Sequence, residues 1–254
     1  MNDLSATGGN IEDRAKQAAG RFAVQAYCFD GARVGLGSGS TSHYVVRALA
    51  DRVHDGLQIT GVATSTATRD LAIALGITTV ELDGIDQLDI CLDGCDEIDP
   101  DGTMIKGGGA CLLWEKLVAV SSARMVVIAD SSKAVATLGV FPLPVEIVKF
   151  AHGTTTNAIR RLLVHHGYAA DVKINRRERE GHPVITDNGN YLVDVQLDRI
   201  ADSAALTADL NQIPGVVENG LFVGMAEEVV FGWSDGTAAT YRFPLTIPLR
   251  PPAP

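Results

Sequence analysis

Apolar residues recur along this chain with two periods, and the switching between them predicts the architecture. Over residues 11–29 the positions Ala15, Ala18, Ala19, Phe22, Ala23 and Ala26 fall at helical spacing, which predicts an amphipathic helix ended by Asp30-Gly31. Short β-like runs follow at 33–36, 59–63, 77–82, 88–92 and 125–129. Between them lie helical segments, one burying Val45, Leu49 and Val53 and another running through Leu75 to a Gly76 cap. Strands alternating with helices predict an α/β fold with a Rossmann-like parallel sheet and right-handed crossovers.

Beyond residue 141 the pattern changes. Residues 141–144 read F-P-L-P, a stiff boundary, and are followed by strand (145–150), helix (154–166) and strand (168–174). A charged tip spans 175–180, a short strand 184–186, and the D-N-G-N of 187–190 predicts a type I′ hairpin turn, since Asn-Gly supplies two positive-φ positions. A strand over 191–197 and a helix over 203–212 complete a smaller α+β, ferredoxin-like unit. The runs at 221–223, 229–233 and 240–243 are expected to return as edge strands. The division expected is 1–141 plus 223–254 as the Rossmann-like catalytic domain, with 142–222 inserted. Pro248, Pro251, Pro252 and Pro254 read as a frayed tail.

Composition narrows the function classes. With 21 Lys and Arg against 31 Asp and Glu the formal charge is −10, and no basic run interrupts it, which argues against nucleic acid and acidic membrane surfaces as partners. An anionic small ligand would need a local site of backbone amides and one or two lysines. The amino-terminal stretch lacks the apolar core of a signal peptide, and no apolar run reaches the ~18 residues of a membrane helix. Four cysteines in 254 residues are too few for a disulfide scaffold, so a cytoplasmic setting is expected.

Candidate chemistry concentrates in three stretches. The G-L-G-S-G-S-T of 35–41 joins a strand to a helix, where backbone amides and the hydroxyls of Ser38, Ser40 and Thr41 suit a phosphate. It equally suits a tight turn with an ordinary Ser or Thr cap, and it matches neither the dinucleotide nor the Walker pattern. The D-G-C-D of 93–96 sets two carboxylates three apart at the carboxyl end of a strand, both expected to face the crevice above the sheet. They could polarise hydroxyls, shuttle protons or bind a cation, though no His accompanies them to favour a metal. Asp99 and Asp101 read as solvated turn residues.

The K-G-G-G of 106–109 leaves amides uncovered at a helix start beside a lysine, an arrangement that suits a developing oxyanion. Glu115 falls in the second turn of that helix, expected in a pocket lined by Leu112, Leu113 and Trp114 that would raise its pKa towards that of a general base. The alternative is a surface glutamate paired with neighbouring charges. Cys91, Cys95 and Cys111 lack a fourth ligand for zinc, and His152, His165 and His166 are scattered.

Taken in order, these motifs closely resemble those of ribose-5-phosphate isomerase, type A, over nearly the whole chain. The resemblance rests on 35–41, on D-G-C-D-E at 93–97, on K-G-G-G-A with E-K at 106–116, on A-D-S-S-K at 129–133, on F-P-L-P-V-E at 141–146 and on T-D-N-G-N at 186–190. It implies an aldose–ketose isomerisation between D-ribose 5-phosphate and D-ribulose 5-phosphate in the non-oxidative pentose phosphate pathway, without cofactor or metal, in a homo-oligomer expected to be a dimer. It implies Glu115 as the base that moves a proton between C2 and C1 through a cis-enediolate. Lys106 and the amides of Gly107, Gly108 and Gly109 would stabilise the enediolate. Asp93 and Asp96, flanking Gly94 and Cys95, would hold sugar hydroxyls and assist ring opening. Ser38, Gly39, Ser40, Thr41 and Lys133 would form the substrate-binding loops, including the phosphate end.

The sequence departs from the family pattern in Ser38 where Thr is common, Cys95 where Ala is usual, and Trp114 in place of a more polar residue. Two rival readings are a sugar-phosphate sensor and a CoA-transferase-like enzyme with Glu115 as nucleophile. The sensor is expected to carry a helix-turn-helix before the glycine turn, where this sequence has one helix without a basic face. A nucleotide-dependent oxidoreductase is disfavoured by the glycine spacing.

Overall fold

The computed structural model describes residues 11–249. It begins with α1 (Ile11–Tyr27), β1 (Ala32–Leu36), α2 (Ser40–His54), β2 (Ile59–Ala63), α3 (Thr66–Ala74) and β3 (Ile90–Asp93). The short β4 (Glu97–Ile98) and β5 (Met104–Ile105), then α4 (Leu112–Val120) and β6 (Met125–Asp130), follow. Next come β7 (Leu143–Ile147), α5 (His152–His165), β8 (Ile174–Arg176), β9 (Glu178–Arg179), β10 (His182–Pro183), β11 (Tyr191–Val195), α6 (Ser203–Leu210) and β12 (Val216–Asn219). The last strands are β13 (Leu221–Phe222), β14 (Ala226–Gly232) and β15 (Ala238–Arg242).

Six strands form the main sheet in the order β15-β14-β6-β3-β1-β2, and every pairing except β14 with β15 is parallel. A parallel sheet covered on both faces needs strands that are apolar throughout, and β6 is buried at every position. Its side chains divide by the two-residue period of a strand. Val126 and Ile128 join Val24, Val45 and Leu49 on one face, while Met125, Val127 and Ala129 join Val118, Phe222 and Phe231 on the other.

The second sheet is antiparallel, in the order β12-β7-β11-β8. With α5 and α6 between its strands in the chain, this is the ferredoxin-like arrangement, packed around Val145, Val193, Ile159 and Leu206. The two-residue β13 pairs with β5, not with the ferredoxin-like sheet.

Several expectations need correction. Residues 77–82 touch β2 through one bridge, Gly61 to Thr79, and then enter a 3-10 turn, so no strand forms there. The strand expected at 168–174 starts only at Ile174 and runs through the charged residues to Arg176. β7 begins inside the F-P-L-P boundary and ends before Phe150, which is 89% exposed. β14 is no edge strand, since it lies between β6 and β15.

The turn at 187–190 is not type I′, because Gly189 has a φ of 81° but Asn188 does not share the left-handed region. Its shape is set instead by Glu146, whose Oε1 accepts from Thr186 Oγ1, Asn188 Nδ2 and Asn190 Nδ2. The expected tail does not fray as far as described, since Ile247 and Leu249 pack on the core. Pro251, Pro252 and Pro254 lie outside the described residues, as does the amino-terminal stretch 1–10.

Candidate active site

Loops at the carboxyl ends of parallel strands form the usual ligand crevice of such sheets. Here they enclose a cavity of about 420 Å³ including its open mouth. Ser38, Gly39, Ser40 and Thr41 line it from the β1–α2 turn, and Gly94, Cys95 and Asp96 from the segment after β3. Lys106, Gly107, Gly108, Gly109, Glu115 and Lys133 complete it.

Asp93 is the exception. The expectation that both aspartates face the crevice fails for this one, which is 0% exposed and lies beneath the cavity. Its Oδ1 accepts from the amides of Ser38 (3.0 Å) and Gly94 (2.7 Å) and from Ser42 Oγ (3.2 Å). Its Oδ2 is 3.0 Å from Lys106 Nζ, an ion pair without hydrogen-bond alignment. The approach explains Gly37, where a Cβ would stand 2.1 Å from Asp93 Oδ1.

Lys106 is the cation of this floor. Nζ donates to Gly94 O (2.6 Å) and to Glu115 Oε1 (3.0 Å). Burial works against its charge, but the carboxylates of Asp93 and Glu115 more than offset that, so its pKa lies above the ordinary lysine value. Glu115 sits in the first turn of α4, one turn earlier than expected, and is buried. Lys106 pins its Oε1, whereas Oε2 has no hydrogen-bond partner. Burial pushes the Glu115 carboxyl up to about 8, with Lys106 pulling it down and Asp93 adding to the rise. Leu112, Leu113 and Trp114 do not line the cavity. Trp114 turns outward, donating from Nε1 to Asn188 Oδ1 at 2.7 Å.

The phosphate-sized end is built differently. Helix α2 starts at Ser40, and its cap residue Gly39 (φ 93°) offers no side-chain acceptor, so the first amides of a 15-residue helix stay open towards the cavity. Lys133 lines the same space and makes no hydrogen bond or ion pair among the described residues. The Ser38 hydroxyl is already engaged, bonding Thr64 Oγ1 (2.7 Å), Ser65 Oγ (2.8 Å) and Thr68 Oγ1 (3.1 Å) in a buried cluster. Position 38 therefore faces the cavity with backbone more than with hydroxyl.

On the opposite wall Asp96 Oδ2 accepts from Gly108 N–H at 2.8 Å. Burial raises its pKa above the ordinary carboxylate value, and the Gly108 bond partly counters the rise. A Cβ on Gly108 would lie 2.5 Å from Asp96 Oδ1, so the contact needs glycine. Glu97 is structural, its carboxylate accepting from the amides of Gly139 (2.7 Å) and Phe141 (2.6 Å).

Two long-range contacts at the site had no signal in sequence. Arg177 donates from Nη1 to Gly107 O at 2.7 Å across 70 residues, and Asp187 accepts from the Thr66 amide at 3.0 Å across 121. Ser42 could have been suspected, lying two residues into the helix after the glycine turn. Among the described residues no three His, Cys, Asp or Glu side chains gather as a metal site requires.

A buried glutamate with one oxygen free, an adjacent ammonium and an anion-ready helix start is a set for proton transfer beside a carbonyl. Known proteins of similar sequence and fold fall in one family. The family model described as ribose 5-phosphate isomerase A (phosphoriboisomerase A) matches residues 60–236. A ribose-5-phosphate isomerase A of Jannaschia sp. is 51% identical over 89% of this chain and 86% of its own. Ribose-5-phosphate isomerase A 2 of Yersinia pseudotuberculosis is 48% identical over 90% and 97%. Among solved structures, ribose 5-phosphate isomerase from Plasmodium falciparum superposes with a TM-score of 0.86 at 33% identity, covering 91% of this chain and 98% of that one. A D-ribose-5-phosphate isomerase in complex with phospho-erythronic acid gives 0.83 at 33% identity, covering 91% and 99%. With sequence and fold in agreement over most of its length, the chain belongs to the ribose 5-phosphate isomerase A family.

Proposed function

We propose that the chain interconverts D-ribose 5-phosphate and D-ribulose 5-phosphate, with Glu115 moving one proton between C2 and C1. The observation that carries this is the state of Glu115, whose Oε1 is held by Lys106 while Oε2 is free in the cavity wall. Oε2 takes the C2 proton, the C–H electrons form the C1–C2 double bond, and the aldehyde oxygen becomes the enediolate oxyanion. A proton passes from O2 to O1, Glu115 returns its own proton to C1, and the ketone stands at C2. The negative charge leaves the carboxylate for the enediolate and later returns. Lys106 neighbours both positions, so its charge need not be replaced during the step. Hydrogen moves within one molecule, and the reaction needs no external redox partner.

In this reading Asp96 faces the sugar hydroxyls and assists ring opening, and Asp93 acts from below by fixing Lys106 and the 38–41 turn. The α2 amides and Lys133 take the phosphate dianion. Phospho-erythronic acid, bound by a solved relative, is a phosphorylated sugar acid whose planar carboxylate resembles a cis-enediolate, which supports a sugar phosphate as the ligand. The main-sheet unit, to which β13 belongs through β5, is then the catalytic unit, and the ferredoxin-like unit is an insert that touches it through Arg177 and Asn188. The four free cysteines and the family suggest a cytoplasmic homodimer, which sedimentation equilibrium would read directly.

Incubation with ribose 5-phosphate and a chelator is expected to yield ribulose 5-phosphate at an undiminished rate. Loss of activity on chelation would overturn the metal-free route, and no product in any buffer would overturn the function. Lys133→Ala is expected to raise KM for ribose 5-phosphate more than it lowers kcat, because an anchor contributes equally to ground and transition states. A pure kcat loss would contradict that role.

A further inference from the structure

We propose that Arg177, on the ferredoxin-like unit, is a positioning residue that sets the direction of the two peptide groups joining Gly107, Gly108 and Gly109. The inference deepens the isomerase reading and rests on it. One nitrogen, Arg177 Nη1, donates to both Gly107 O (2.7 Å) and Gly108 O (3.1 Å). The rest of the guanidinium is occupied by Asp194, with Nε on Oδ2 at 2.9 Å and Nη2 on Oδ1. The fork is thus clamped from behind before it reaches the glycines, and only a planar guanidinium can serve all these acceptors at once.

The consequence lies in the peptide planes. In a trans peptide the C=O of one residue and the N–H of the next point in opposite directions. Drawing Gly107 O towards Arg177 turns the Gly108 N–H away from it, and that N–H is found on Asp96 Oδ2 at 2.8 Å. Drawing Gly108 O to the same nitrogen likewise turns the Gly109 N–H away from Arg177, and Gly109 lines the cavity. Glycines are needed for close approach but do not fix their own planes, since three in succession leave the backbone several orientations. The Ala110 N–H, donating to Gly107 O at 3.0 Å, closes a turn over the three glycines, and Arg177 removes the freedom that this leaves, above all at Gly108 O. Arg177 also withdraws electron density from both carbonyls, which strengthens the Gly108 bond to Asp96 and makes the Gly109 amide a better donor to a sugar oxygen or oxyanion.

A peptide plane fixed in this way matters most where charge develops, so the effect belongs on kcat. Steady-state kinetics on ribose 5-phosphate would compare the native chain with Arg177→Ala and Arg177→Lys, with phospho-erythronic acid and inorganic phosphate as inhibitors. Both variants are expected to lose kcat by up to about 10²-fold, the scale of a small misplacement at a reacting centre, with KM little changed. Inhibition by phospho-erythronic acid is expected to weaken in step, while inhibition by phosphate stays as it was. Lysine keeps the charge and an ion pair with Asp194, so Arg177→Lys decides the matter should the alanine variant fold poorly. Native kcat in Arg177→Lys, or a rise in KM with kcat retained, would overturn the inference. A native chain without isomerase activity would overturn the functional reading beneath it, a distinct failure visible before any variant is made.

Discussion

Glu115→Gln is expected to lower kcat by about 10²–10⁴-fold, the range of one general base, while the chain stays folded and becomes more stable at alkaline pH. The reason is the charge count of the floor. Asp93, Lys106 and Glu115 bring two carboxylates and one ammonium into a region where their side chains are at most 6% exposed. One negative charge is therefore in excess, and burial holds the Glu115 pKa up near 8, from an ordinary value of 4.5. A group raised in the folded state binds more proton there than in the unfolded chain between those values, so stability falls as pH rises through that window. Glutamine has no proton to lose, and its advantage over the native chain should grow across the window and then level off. The same shift predicts that native activity is lost as pH falls through the raised pKa, far above the usual carboxylate range. Thermal melts on both sides of the window, with kcat at saturating substrate, test both halves. A variant with native kcat would remove Glu115 from the chemistry, and one that melts earlier at high pH would refute the account of its burial.

Lys106→Met should be the more damaging change. It leaves Asp93 and Glu115 buried with no cation between them, and removing one partner of a buried ion pair costs about 3–5 kcal/mol. Activity should fall with stability, since the enediolate loses its counter-charge and Glu115 loses the cation that pulls its pKa down. The double variant Lys106→Met with Glu115→Gln is expected to recover part of the stability, because it removes one of the stranded charges. Denaturant titration of the singles and the double would measure that coupling. Simple additivity would mean that the two side chains do not share one electrostatic site.

The glycine turn, the D-G-C-D run, the K-G-G-G loop and Glu115 were legible because their residues lie close in sequence and end predictable elements. The direction of Asp93 was misread, although a clue existed. In a strand residues two apart share a face, and Cys91, wholly buried in the core, shares one with Asp93. The hairpin at 187–190 was misread for a different reason. Its turn preference is overridden by three side chains donating to Glu146, some 40 residues away. The contacts of Arg177 and Asn188 could not be foreseen, since nothing local marks a partner that lies 70 or 74 positions off. Trp114, which looked like a wall for the base, is instead the point where α4 meets the ferredoxin-like unit.

The place of β14 in the main sheet has a bearing on how the chain is made. β6 pairs with β3 on one side and β14 on the other, and the whole ferredoxin-like sheet is encoded between β6 and β14. During synthesis β6 must therefore keep one edge open until the last strands emerge, while the intervening unit already has every strand it needs. An apolar strand with an open edge invites pairing with another chain. Truncation at the carboxyl end should thus be felt first as aggregation, well before the loops around Glu115 are touched.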